Sequence, residues 1–168
     1  ELNPRVNYRE EEYLPEEMFA KALAHWQSEL PVEECVQVFW DGLKLKAELY
    51  PDTISVLCNL KERGYKIAAL TDLPSGFPDK RFIEDIAELL PHFDCYISSA
   101  IAGVRKPNEG GLRMIAERFG VSLSELVLVG DEEKDAKTAE RAGCKFIRID
   151  RCGEREGSVR GLEELLER

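Results

Sequence analysis

Three times in this chain an amphipathic segment ends at a glycine and a short apolar run without helical period follows. DTISVLCNLKERG (52–64) precedes YKIAALT (65–71), a segment over about 108–119 stops at Gly120 ahead of LVLVG (126–130), and one over 132–142 stops at Gly143 ahead of KFIRI (145–149). Glycine tolerates the left-handed conformation that closes a helix, so each reads as helix, stop, strand. The runs are apolar at successive positions, as in strands covered on both faces. Repeated alternation of that kind implies a parallel sheet between helices. At 168 residues the chain is the size of one domain with a small appendage.

Other elements follow from period and caps. DKRFIEDIAELL (79–90) predicts a helix, CYISS (95–99) a strand, and 159–167 a last helix with Val159, Leu162, Leu165 and Leu166 inward. Asp52 is the expected N-cap of the 52–64 helix. Before Pro51 the texture is helical only. Residues 15–30 space Met18, Phe19, Ala22, Leu23, Trp26 and Leu30 by threes and fours. Residues 32–48 repeat the period through Val32, Cys35, Val36, Phe39, Trp40 and Leu43. The two segments predict a helical hairpin with one shared apolar face, and a boundary near Tyr50-Pro51.

Composition narrows the function classes. The chain is 43% hydrophobic and 33% charged, with net charge −10. Residues 1–50 hold 11 acidic and 5 basic side chains. That field argues against a partner with a phosphate backbone and offers no polybasic membrane anchor. No run approaches the ~20 apolar residues of a membrane-spanning helix. Five scattered cysteines without a CxxC (Cys35, Cys58, Cys95, Cys144, Cys152) suit reduced, mostly buried thiols and a cytoplasmic setting.

In open parallel sheets, ligands gather outside the carboxyl ends of the strands. The first strand exits into Thr71-Asp72, the second into SAIAGVRKPN (99–108) and the third into GDEEKD (130–135). One rim therefore collects a hydroxyl, a lysine and several carboxylates. Hydroxyl and ammonium donors suit a phosphoryl group. Asp131 and Asp135, four apart as a helix begins, suit a hard cation such as Mg²⁺. Together they outline phosphoryl transfer, which depends on positioning and charge neutralisation.

The order ALTD (69–72), GVRKPN (103–108), LVLVGDEEKDAKTAERAG (126–143) resembles motifs II, III and IV of the haloacid dehalogenase-like hydrolases over about residues 50–150. The resemblance implies an α/β fold: a three-layer Rossmann-like parallel sheet with helices on both faces, plus a small N-terminal helical cap over residues 1–50 and a core over 51–168. It implies that Thr71, helped by the Asp72 backbone, binds the transferred phosphoryl group. It implies that Lys106 neutralises charge there, and that Asp131 and Asp135 hold Mg²⁺ directly or through water. The expected activity is that of a Mg²⁺-dependent phosphatase acting on a small phosphorylated metabolite through an aspartyl-phosphate. The expected partners are that substrate, no nucleic acid and no membrane, and the expected state a monomer or homodimer.

One element of the family pattern is absent. Motif I is a strand ending in DxDx(T/V) whose first Asp is the nucleophile, and no DxD occurs in the 168 residues. VFWDGL (38–43) imitates the segment around its second Asp, but the neighbours keep helical period and Phe39 would stand where the nucleophile belongs. The missing strand belongs between those ending at Thr71 and Asp131, so a gap is expected there. Residue 1 is Glu, which favours an upstream position for the nucleophile; a catalytically inactive binding or scaffold protein is the alternative. His25, His92 and Cys144 are expected to be structural, Trp26, Phe39 and Trp40 to pack in the core or under the cap, and Glu10-Glu11-Glu12 to be a solvated charge run.

Overall fold

A computed structural model describes residues 9–43 and 48–167. In chain order the elements are α1 (Pro15–His25), α2 (Val32–Leu43), α3 (Thr53–Glu62), β1 (Ala68–Thr71), α4 (Asp79–Asp85), β2 (Cys95–Ser98), α5 (Ser99–Ala102), α6 (Gly110–Phe119), β3 (Val127–Gly130), α7 (Glu133–Ala142) and β4 (Lys145–Arg148). Gly64, Gly120 and Gly143 all take positive φ at the helix ends, where the sequence places the stops. The expected tail of the second hairpin helix, 44–47, lies outside the described residues.

The strands form two parallel pairs rather than one sheet. β1 pairs with β2 in the register Ala68–Cys95 to Thr71–Ser98, and β3 pairs with β4 from Val127–Lys145 to Gly130–Arg148. Among the described residues neither β1 nor β3 has a second hydrogen-bonded neighbour. One core nevertheless spans both pairs: Ile97, Leu112, Ile115, Leu128, Ala139 and Ala142 are buried together, with Leu70 and Phe146 packed against them. The halves are thus joined through α6 and α7, while the backbones of β1 and β3 each leave a row of donors and acceptors without a strand partner.

The open edges show in the burial. LVLVG reads as a fully covered strand, yet Val127 is 51% exposed and only Leu128 of β3 is buried. All four residues of β1 are only half-buried. Side chains flanking an unfilled edge lose the neighbour that would cover them.

The hairpin seats on the loop that follows β1. Val36 and Trp40 of α2 are buried with Leu73 and Phe77, and Phe19, Val32 and Phe82 pack around them. Trp40 Nε1 donates to the Gly76 carbonyl at 2.5 Å, and Phe19, Phe39, Trp40, Phe77 and Phe82 form a chain of edge-to-face rings. VFWDGL is helical, as its period requires. Trp26 departs from expectation: α1 ends at His25, Gln27 turns to φ 54°, and Trp26 is left 72% exposed off the apolar stripe. Leu30, past the helix, is 61% exposed, and Phe39 is 49% exposed despite its ring contacts.

Two local expectations change at the C-terminal end. The last helix is a 3₁₀ segment, Leu162–Glu167, and the fully buried Val159 bridges Ile149 in parallel beyond β4. Asp52 does not cap α3 through its side chain. Its carboxylate instead accepts two 3.0 Å bonds from Arg151 and one of 2.7 Å from the Leu162 amide, pinning the C-terminal segment to α3. The Arg151 hydrogen bonds hold Asp52 below the usual carboxylate range. A depressed folded-state pKa supplies stability that is present above the unfolded value of about 4 and vanishes as pH falls through the folded value. Asp52→Asn is therefore expected to lower Tm at neutral pH, with the difference from wild type narrowing in melts taken below about pH 4. A pH-independent difference contradicts this role.

No helix among the described residues is long and apolar enough to cross a membrane. The five cysteines are free, Cys152 exposed and the other four half-buried.

Candidate active site

The loops after β1 and β2 and the start of α7 meet through side chains that all belong to the sequence motifs. Lys106 Nζ lies 2.6 Å from Asp135 Oδ1, with exposures of 11% and 4% for the two side chains. The Lys106 amide donates to Asp72 Oδ1 at 3.1 Å. Asp72 Oδ2 is 3.1 Å from Lys134 Nζ, which also reaches Glu132 at 2.7 Å. Four motif residues are thus linked in series, Asp135–Lys106–Asp72–Lys134, by two ion pairs and one backbone amide bond across three strand exits. Burial alone would pull the Lys134 ammonium down, but its hydrogen bond to Glu132 and the charge of Asp72 hold it above the ordinary lysine value.

Asp135 is placed by the local fold. Its Oδ2 accepts from the Glu132 amide at 2.9 Å, closing a capping box at the start of α7, while Oδ1 faces Lys106. A Cβ built on Gly130 would stand 2.5 Å from Asp135 Oδ2 and 2.6 Å from its Cγ. Glycine is needed there for room rather than for conformation. Gly130→Ala must displace a buried carboxylate with both oxygens engaged, and overpacking of this kind costs about 1–3 kcal/mol. A Tm several degrees below wild type is expected in a thermal melt. Gly42→Ala, in α2 with nothing within 4 Å of the added methyl, is expected not to lower it. An unshifted Tm for Gly130→Ala would show that Asp135 is not held as described.

Two motif groups keep their polar atoms uncommitted. Thr71 closes β1 opposite Ser98, and its hydroxyl makes no hydrogen bond among the described residues. Asp131 is exposed, and its carboxylate has no hydrogen-bond or ion-pair partner among them; only its carbonyl is used, accepting from Arg148 at 3.0 Å. Asp131 also lines a cavity of about 500 Å³ with Tyr50, Thr53, Asp150, Arg151 and Arg155.

Whether these donors suit a hard cation turns on which oxygens are unoccupied. Asp131 fits a direct ligand. Asp135, with each oxygen already accepting a hydrogen bond, fits an anchor for Lys106. Among the described residues no three His, Cys, Asp or Glu side chains converge on one point.

Lys134 is the site residue that motif reading passes over; the one lysine inside GDEEKD was the available signal. Two residues that the motif reading gave no role belong to the same scaffold, Glu12 outside the motifs and Arg105 inside GVRKPN. Glu12 is 5% exposed in its side chain, so the expectation of a solvated acidic run fails there: the Arg105 guanidinium supplies the burial partner. His25 is exposed at the end of α1. His92 Nδ1 lies 3.6 Å from Cys58 Sγ, and neither histidine is among the hydrogen-bonding partners of the rim residues.

A family model described as haloacid dehalogenase-like hydrolase matches residues 3–143. A glyceraldehyde 3-phosphate phosphatase of Methanopyrus kandleri is 41% identical over 105 residues, covering 61% of this chain and 43% of the relative. A phosphoglycolate phosphatase of Cereibacter sphaeroides is 35% identical over 123 residues, covering 73% and 54%. A crystal structure of a HAD phosphatase from Thermococcus onnurineus superposes with a TM-score of 0.63 at 28% identity, over 86% of this chain and 67% of that one. The chain spans about half the length of the curated relatives it matches.

Proposed function

Since the chain belongs to the haloacid dehalogenase-like hydrolase family, we propose that it serves a Mg²⁺-dependent phosphatase acting on a small phosphorylated metabolite. The observation that carries this reading is the contrast at the rim. Lys106 is fixed on Asp135 at 2.6 Å, while the Thr71 hydroxyl and the Asp131 carboxylate stand uncommitted at the exits of β1 and β3. Stability alone does not account for a buried lysine–carboxylate pair beside an unpaired acid, because desolvation offsets most of the attraction.

In this reading Thr71 donates to a phosphoryl oxygen and the Lys106 ammonium opposes the charge that develops on the equatorial oxygens. Asp131 holds Mg²⁺ directly and Asp135 acts through water while keeping Lys106 in place. The metal, when bound, neutralises phosphoryl charge. A carboxylate carried by a strand between β1 and β3 attacks phosphorus; its O–P bond forms as the ester O–P bond breaks, and water then releases phosphate. The hairpin, seated on the loop after Thr71-Asp72, serves as a cap over residues 1–50 that shields the site and selects the substrate. Relatives named for phosphoglycolate and glyceraldehyde 3-phosphate support a three-carbon or smaller phosphate ester.

The test is hydrolysis of an aryl phosphate by the complete polypeptide, with and without Mg²⁺. Activity that requires Mg²⁺ and falls by about 10²–10³-fold in Asp131→Asn is expected. A fully active Asp131→Asn removes the metal assignment, and a complete polypeptide without activity favours the binding or scaffold alternative.

A further inference from the structure

Three backbone segments meet at one guanidinium. Arg105, 4% exposed, donates through Nη1 to Glu12 Oε2 and through Nη2 to the Leu73 carbonyl at 2.7 Å. Leu73 follows Thr71-Asp72 directly, and its own amide is fixed by Ser99 Oγ at 3.0 Å. Lys106 follows Arg105. Glu12 lies on a strap that crosses the Lys106 loop antiparallel: Glu11 bridges Val104, the Glu12 amide donates to the Gly103 carbonyl at 3.2 Å, and the Arg105 amide donates to the Glu10 carbonyl at 2.8 Å. The Glu10 carboxylate adds bonds from Arg141 at 2.7 Å and Asn108 at 3.3 Å. Two residues past Tyr13 the strap becomes α1 of the hairpin.

A buried ion pair is weak evidence for stability, because desolvation offsets most of the Coulomb attraction and an apolar pair often packs as well. An apolar pair has no directional donors, however, and cannot hold a carbonyl of one loop against the register of another. Guanidinium geometry can, since its donors diverge in a fixed plane.

We propose that Arg105 is a positioning residue, anchored by Glu12, that sets Lys106 against Thr71-Asp72 and ties that spacing to the strap entering the hairpin. This rests on the phosphatase reading for its catalytic consequence but not for its structural one. Lysine at 105 retains the charge and cannot reach Glu12 and the Leu73 carbonyl together. Glutamine at 12 retains the shape and removes the charge.

The test uses Arg105→Lys and Glu12→Gln in the complete polypeptide, with two readouts. The first is aryl phosphate kinetics well below the Tm of each variant. The second is acylation of Lys106 by an amine reagent, mapped by peptide mass spectrometry, with the exposed Lys66 as internal reference. A fall in kcat of roughly 10²-fold with a smaller change in KM is expected in Arg105→Lys, as a misplacement of about 1 Å produces. Faster Lys106 acylation relative to Lys66 is expected in both variants. Wild-type kcat and wild-type Lys106 protection in both variants overturn the proposal, as does a lowered kcat with Lys106 protection unchanged. A wild-type protein that hydrolyses no aryl phosphate refutes the phosphatase reading, while the acylation ratio still decides the positioning role.

Discussion

Purified alone, the 168-residue chain is expected to release no phosphate from an aryl ester above the uncatalysed background at any Mg²⁺ concentration. The chain preceded by a strand ending in DxDx(T/V) is expected to turn over. The covalent step needs a carboxylate with a free oxygen facing phosphorus. Asp72 holds the Lys106 amide and Lys134, and Asp135 holds Lys106 and the Glu132 amide. Of the three rim aspartates that leaves Asp131, which in this account is the metal ligand. The backbone points the same way: among the described residues β1 and β3 each lack a neighbour on one edge, and one core already spans both pairs. A parallel strand between them would satisfy two rows of amides and carbonyls and place its last residue at the rim. A steady-state assay on the two preparations decides the matter. Measurable turnover by the 168 residues alone would mean that the nucleophile is among them and that the role given to the gap is wrong.

Lys106→Met in the complete polypeptide is expected to lower kcat by about 10²–10³-fold, the usual effect of losing one preorganised group opposite developing charge. KM should change less, because the ammonium matters most when charge has built up in the transition state. The substitution also leaves Asp135 buried without its cation, so part of any activity loss could come from unfolding. Assays well below the measured Tm separate the two effects. A stably folded Lys106→Met with wild-type kcat would remove Lys106 from the chemistry.

Much of this was legible in residue patterns, for reasons that differ by element. The helix stops at Gly64, Gly120 and Gly143 could be read because only glycine takes the closing conformation without strain. The gap could be read because a strand-ending DxD leaves a strict signature when present, and none is there. Lys106 and Asp135 were legible as members of motifs, but their direct 2.6 Å contact was not, since spacing along the chain does not report distance between loops. Asp52 looked like a cap, and Glu12 like part of a solvated run, because the residues that claim them, Arg151 and Arg105, are 99 and 93 positions away. Trp26 fitted the helical stripe by number alone; α1 ends one residue before it. Long-range pairing is what one-dimensional periodicity omits, and it is where the site's supporting residues were missed.

Crystals of the complete polypeptide grown with Mg²⁺ and tungstate, a phosphate-sized oxyanion, test the account at its centre. Expected is a metal bound by an Asp131 oxygen at about 2.0–2.1 Å, with the oxyanion between the Thr71 hydroxyl and Lys106 Nζ. An oxyanion held elsewhere, or a metal with no bond to Asp131, would contradict it.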